Sequence, residues 1–213
     1  MRFNGRMRLL GFFLLALLAR MPGQEIAAGK ILLASPDLPD PNFSQTVVLL
    51  IHTGDDGAMG LILNRPAKIS LGKLFPGKEI PRNKGEFVYT GGPVEEQLGF
   101  ALLRSSTKLK EALRVGADVY FVTDKDQLEK TVQTAKDAAS FRVYLGYAGW
   151  GPDQLEQELA AGAWTVLPWR IETVFDADPL TLWDRLNEKN HLRIAGTTRE
   201  TTHNAGRVSG PPE

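Results

Sequence analysis

Residues 46–64 read TVVLLIHTGDDGAMGLILN. The first part, TVVLLIH over 46–52, is a continuous run of β-branched and aliphatic side chains, the pattern of a strand buried on both faces. GLILN over 60–64 is a second apolar run, and the TGDDG between them carries the Asp-Gly chemistry of a tight turn. Two strands joined so closely can only pair antiparallel, so the centre of the chain predicts a β-hairpin and, around it, an antiparallel sheet.

Toward the amino terminus, ILLAS (31–35) predicts another strand, stopped by SPDLPDPNF. Prolines 36, 39 and 41 withdraw amide donors and fix φ, so this segment predicts an ordered surface loop. Toward the carboxyl terminus the pattern predicts a short helix over 71–75, a loop through PGKEIPRNKG and a strand over 87–90. Gly91, Gly92 and Pro93 turn the chain into a strand over 99–104, and VYFVT (119–123) predicts the next. A helix follows, with Leu128, Val132, Ala135 and Ala139 on one face and Thr123 and Asp126 spaced as a variant capping box. RVYLGY then predicts a strand, PDQLEQELAA a helix and WTVLP a strand. A last helix starts at Asp178 with Pro179 in its first position and buries Leu182 and Leu186. From about His191 the apolar periodicity ends, which predicts a mobile tail over 191–213.

The 213 residues, 43% of them hydrophobic, suffice for one substantial core, and a single domain over 29–190 is expected. The absence of cysteine removes disulfides, thiolate nucleophiles and cysteine-type zinc sites. The formal charge of zero conceals an asymmetry. Residues 1–28 hold Arg2, Arg6, Arg8 and Arg20 against Glu25 alone, so the remainder carries 21 bases and 24 acids, a net of −3. An acidic body is a poor polyanion binder, because nucleic-acid affinity rests on basic side chains that displace counterions, and nucleic acid is not an expected partner. The basic MRFNGRMR, the apolar run from Leu9 to Ala19 and the small residues of IAAG have the layout of an export signal cleaved after Ala28. That run is shorter than the roughly 20 residues a spanning helix needs, so no stable transmembrane span is expected. Arg20, directly after the apolar run, and the bulk of Ile26 count against that cleavage; export is the preferred expectation, and the alternative is a start at Met21 and a cytoplasmic protein.

The segment 144–155, YLGYAGWGPDQL, places glycines between a strand and a helix, the order that phosphate loops use. Its details oppose that chemistry. With Gly151 as N-cap, Pro152 removes an amide donor, Asp153 and Glu156 bring carboxylates to the first turn, and no Lys followed by Ser or Thr succeeds the glycines. A sharp strand-to-helix corner at Gly146, Gly149 and Gly151, with Tyr147 and Trp150 packed over it, is the better reading. The histidines are His52, His191 and His203, and His52 ends a buried strand as a hydrogen-bonded edge residue. No nucleophile elbow or paired metal motif occurs, so no catalytic residue, metal or cofactor is assigned. Asp37, Asp40 and Asn42 crowd one loop, while Asn64 and Arg65 close a strand. Arg65, directly after a buried strand, is the best single polar probe.

GKILLASPDLPDPNFSQTVVLLIHTGDDGAMGLILNRP, FVYTGGPVEEQLGFALL and RVYLGYAGWGPDQLEQELAAGAWTVLP, in this order and spacing, closely resemble the YqgE/AlgH family over about residues 30–186. The resemblance implies a single α+β domain whose bifurcated, mostly antiparallel sheet folds into a pseudo-barrel with flanking helices. It implies little chemistry, since the family is biochemically uncharacterised. Some members carry the label of transcriptional regulator, linked to alginate production, without a DNA-binding motif. The family is usually taken to be cytosolic, so the export-like terminus is a departure from it.

Three functional expectations follow. The first is a non-catalytic binding or regulatory protein that holds a protein, peptide or small ligand on a concave surface near Asn64, Arg65, Gly92, Tyr147 and Trp150. The second is an enzyme built on Asp40, Asn64 and Arg65, which requires those residues to converge. The third, regulation at the DNA, is disfavoured by the acidic body. The oligomeric state is open.

Overall fold

In the computed structural model, residues 25–80, 88–134 and 139–205 are described. The export-like segment up to residue 24 lies outside them. The central hairpin forms as its sequence predicts: β2 (Val47–Gly54) and β3 (Gly57–Ile62) pair antiparallel, with Gly54 opposite Gly57 across Asp55 and Asp56. Residues 47–51 of β2 are all buried, which explains why this strand carries no alternating polar face. β1 (Ile31–Ala34) runs antiparallel to β2, and its other edge takes β9 (Trp164–Leu167).

On the far side of β3 lies β8 (Phe141–Trp150), followed by β5 (Val94–Arg104), β7 (Val119–Val122) and β6 (Ala112–Arg114). The order is therefore β6-β7-β5-β8-β3-β2-β1-β9, with the short β4 (Tyr89–Thr90) parallel to β8 and every other pairing antiparallel. The sheet curls into a half-barrel flanked by α1 (Leu71–Leu74), α2 (Lys125–Thr134), α3 (Gln154–Ala160), α4 (Ile171–Val174) and α5 (Leu182–Ala205). This is the single α+β domain expected.

The sheet forks along β8. One edge of β8 pairs with β5, while the other is shared: Tyr144 and Leu145 face β4, and residues 148–150 face β3. The fork requires two backbones to touch. A Cβ on Gly92 would lie 2.1 Å from the Tyr147 carbonyl carbon, and Gly146, at φ +67°, would drive one to 2.5 Å from the Gly92 oxygen. Only glycine fits a left-handed backbone with no room for a side chain. The segment GYAGW is thus strand, not the corner its glycines suggested. The turn comes later, and the N-cap of α3 is Asp153 at φ +59° rather than Gly151.

One core fills the half-barrel beneath β1, β2, β3 and β9, and a smaller one, with Leu71, Val122, Leu128, Val132 and Phe141, is closed by α1 and α2. Burying each large aliphatic side chain contributes roughly 1.5–3 kcal/mol, so β2 alone is a major anchor. Leu128 and Val132 are buried as the helical face predicts; Ala135 lies outside the described residues and Ala139 lies beyond the helix. The cap of α2 is Asp124, whose Oδ1 accepts the Gln127 amide at 2.8 Å, not Thr123.

The last helix begins after a 3-10 turn (Pro179–Thr181) and is docked by Trp183, whose Nε1 donates to the Ala34 carbonyl at 2.9 Å. It continues past His191 to Ala205, where a tail was expected. Propagating an existing helix costs little even without apolar periodicity, which is why that signal placed its end too early. β6 and α4 were not foreseen; three and four residues are too short to display a period.

Candidate functional site

The proline-rich loop between β1 and β2 folds on itself first. The Asp40 carbonyl accepts the amides of Phe43 at 3.0 Å and Ser44 at 2.7 Å, and Asp40 Oδ1 accepts the Asn42 amide at 2.8 Å. This is the side-chain-capped turn that Asp favours. Gln45 then sits at φ +55°, a left-handed conformation that costs a non-glycine residue about 1 kcal/mol or more.

Two residues at the end of the hairpin hold the loop in that shape. Asn64, buried, accepts the Val47 amide through Oδ1 and donates through Nδ2 to the Gln45 carbonyl, both at 2.9 Å, so it pins the chain on each side of Thr46. Arg65 reaches under the loop: Nη1 donates to the Asn42 carbonyl, and Nη2 to those of Pro41 at 3.2 Å and Ser44 at 3.0 Å. Burial lowers the Arg65 pKa while the charge of Asp40 opposes that shift; a guanidinium stays ionised regardless.

An aromatic platform supports the loop from below. Phe43 stacks on Trp150 with centroids 6.0 Å apart and meets Trp164 edge-on at 5.8 Å, while the two indoles contact each other at 5.9 Å. Glu158 Oε2 accepts both indole N–H groups, at 2.9 Å from Trp150 and 2.7 Å from Trp164. Its other oxygen accepts Gln154 Nε2 at 2.9 Å, and Gln154 Oε1 accepts the Gly151 amide at 3.0 Å. The first turn of α3 therefore ties the end of β8 to the platform.

The sequence-derived candidates fall into two groups. Asp40, Asn64, Arg65 and Trp150 converge on the loop, whereas Gly92 and Tyr147 belong to the fork, where Tyr147 packs edge-on against Phe100 at 6.1 Å. Trp150 is 5% exposed and Asn64 8%, so neither presents a surface to a ligand. The residues that face outward are Pro36, Asp37, Pro39, Pro41, Asn42 and Gln45. His52 is an exposed edge residue bonded to Asp56 at 3.1 Å. Sequence reasoning missed Phe43, Glu158 and Trp164. Phe43 left a trace, since a lone aromatic in a polar loop is a candidate anchor; a carboxylate shared by two indoles from different strands leaves none.

A braced loop on a forked, half-barrel α+β sheet defines a scaffold class rather than a chemistry. The comparisons agree. Residues 31–195 match the family model DUF179, described as AlgH-like. A UPF0301 protein of Nitrosococcus oceani is 41% identical over 157 residues, 72% of this chain and 83% of that one. Another, from Myxococcus xanthus, is 40% identical over 164 residues, 76% and 88% of the two chains. Among solved structures, the solution structure of AlgH from Pseudomonas aeruginosa superposes with a TM-score of 0.58 at 29% identity, over 87% of this chain and 95% of that one. A crystal structure of a Corynebacterium diphtheriae protein, DIP2367, gives 0.65 at 22% identity over 78% and 88%, a likeness of fold alone. The chain belongs to the AlgH-like UPF0301 family.

Proposed function

We propose that this protein is a non-catalytic binding protein whose contact surface is the loop over 36–45, presented to a protein or peptide partner. The observation that carries the reading is Arg65 holding three carbonyls beneath an exposed loop. A loop fixed before binding loses little conformational freedom on binding, and exposed, rigidly mounted loops are where recognition concentrates. The outward Asp37 suits a basic partner and repels nucleic acid. The enzyme built on Asp40, Asn64 and Arg65 is less well supported: the residues do converge, but onto backbone groups of the loop itself.

The test immobilises the full chain, the Asp37→Ala variant and the Asn42→Ala variant, and exposes each to extract from source cells. A protein captured by the unaltered chain and lost from both variants, at unchanged melting temperature, supports the reading. Equal capture by all three refutes it.

A further inference from the structure

At the end of β9 away from Trp164, the chain turns through Pro168 and Arg170 into α4, and α5 crosses above. Leu186, Lys189, Asn190 and Arg193 fall on one face of α5, at the spacing that brings helical side chains together. Between these segments lies a cavity of about 150 Å³. Its floor is apolar: Ile31 and Leu167 stand directly opposite each other in the β1–β9 register, flanked by Pro168 and Leu186. Its rim is cationic, with Arg170, Lys189 and Arg193, and among the described residues no carboxylate lines it.

Arg193 is already engaged on its own helix, where its Nη2 donates to Asn190 Oδ1 at 3.5 Å. Arg170 and Lys189 form no ion pair among the described residues, although the body of the chain is acidic. An anion between Arg170 and Lys189 would neutralise both, and the floor selects what the anion carries.

We propose that this cavity binds a small amphipathic anion, a carboxylate with a short aliphatic chain. The carboxylate sits among Arg170, Lys189 and Arg193, with the Asn190 side chain on the same helical face, and the chain lies on Ile31, Leu167 and Leu186. A volume near that of five liquid waters, at about 30 Å³ each, holds roughly four carbons including the carboxylate. The inference stands apart from the loop reading, since the two sites share no residue.

The test titrates the full chain with sodium butyrate at constant ionic strength and follows the amide signals of Arg170, Lys189 and Asn190. Saturable shifts with a dissociation constant on the order of millimolar are expected, given so few ligand atoms. Arg170→Gln and Lys189→Gln each weaken binding by roughly three- to tenfold, with unchanged melting temperature because both side chains are exposed. Butyramide, of the same shape without the charge, does not compete. Shifts that never saturate, equal binding of butyramide, or inorganic phosphate binding as tightly as butyrate would overturn the proposal.

Discussion

Replacing Arg65 with alanine releases the loop and leaves the sheet intact. The side chain makes three hydrogen bonds, to the carbonyls of Asn42, Pro41 and Ser44. A bond from a charged donor contributes about 1.5–3 kcal/mol, but these carbonyls regain water once freed, and bonds from one group do not add fully. The net loss in local stability is therefore about 2–3 kcal/mol. Three amides report it directly: those of Phe43 and Ser44, bonded to Asp40, and that of Thr46, bonded to Phe43. At about 1.4 kcal/mol per factor of ten, their hydrogen exchange accelerates roughly 30- to 150-fold in Arg65→Ala. The buried β2 and β3 amides of Leu49 and Leu61 exchange as before. Arg65→Lys keeps the charge without the planar fork and restores only part of the protection. Loop amides unchanged in Arg65→Ala, or loop and sheet amides accelerating together, would refute the bracing argument.

The platform and the fork give further tests. Glu158→Ala leaves two buried indole donors unpartnered, at about 1–3 kcal/mol each, and lowers the melting temperature by roughly 5–15 °C in calorimetry. A change below about 2 °C would show the shared carboxylate to be incidental. Gly92→Ala forces a Cβ into the Tyr147 backbone at 2.1 Å, so the urea midpoint falls by the equivalent of about 3 kcal/mol or more; an unmoved midpoint would contradict the close approach. Burial pushes the phenols of Tyr89 and Tyr144 above their ordinary value near 10. The folded protein then holds protons that the unfolded chain releases, so this stability is complete below about pH 10 and declines as pH rises beyond it. Phenolate absorbance should show both rings ionising above the ordinary value in the folded protein, and their titration near 10 there would overturn that expectation.

Legibility in the sequence followed the physical origin of each feature. The hairpin and β1 were readable because burial on both faces writes itself as uninterrupted aliphatic runs. β8 was readable only as far as Tyr147, because Ala148, Gly149 and Trp150 are small or aromatic, and because Gly146, read as part of a corner, answers to the backbone of Gly92, Val94 and Glu96, distant in sequence. Asn64 and Arg65 could be selected from their place after a buried strand, but not the direction in which they act. Their partners lie about 20 positions earlier, on backbone groups that carry no residue-specific signal. Glu158 was illegible for the same reason, since nothing local marks a helix carboxylate as the acceptor for two indoles.

Bracing and contact can be separated, because they act on different quantities. A partner that requires the ordered loop sees its affinity reduced only by the fraction of molecules in which the loop is closed. If the loop of the unaltered chain opens in fewer than about one molecule in a thousand, a 30- to 150-fold rise in opening still leaves most molecules competent. Arg65→Ala then transforms exchange while barely moving affinity. Asp37→Ala and Asn42→Ala do the converse: both side chains face outward, so partner capture falls while the loop amides stay protected. A chain in which Arg65→Ala alone abolished capture, with loop protection unchanged, would instead have a guanidinium in direct contact with the partner. That outcome would move the site from the loop's outer face to the groove beneath it.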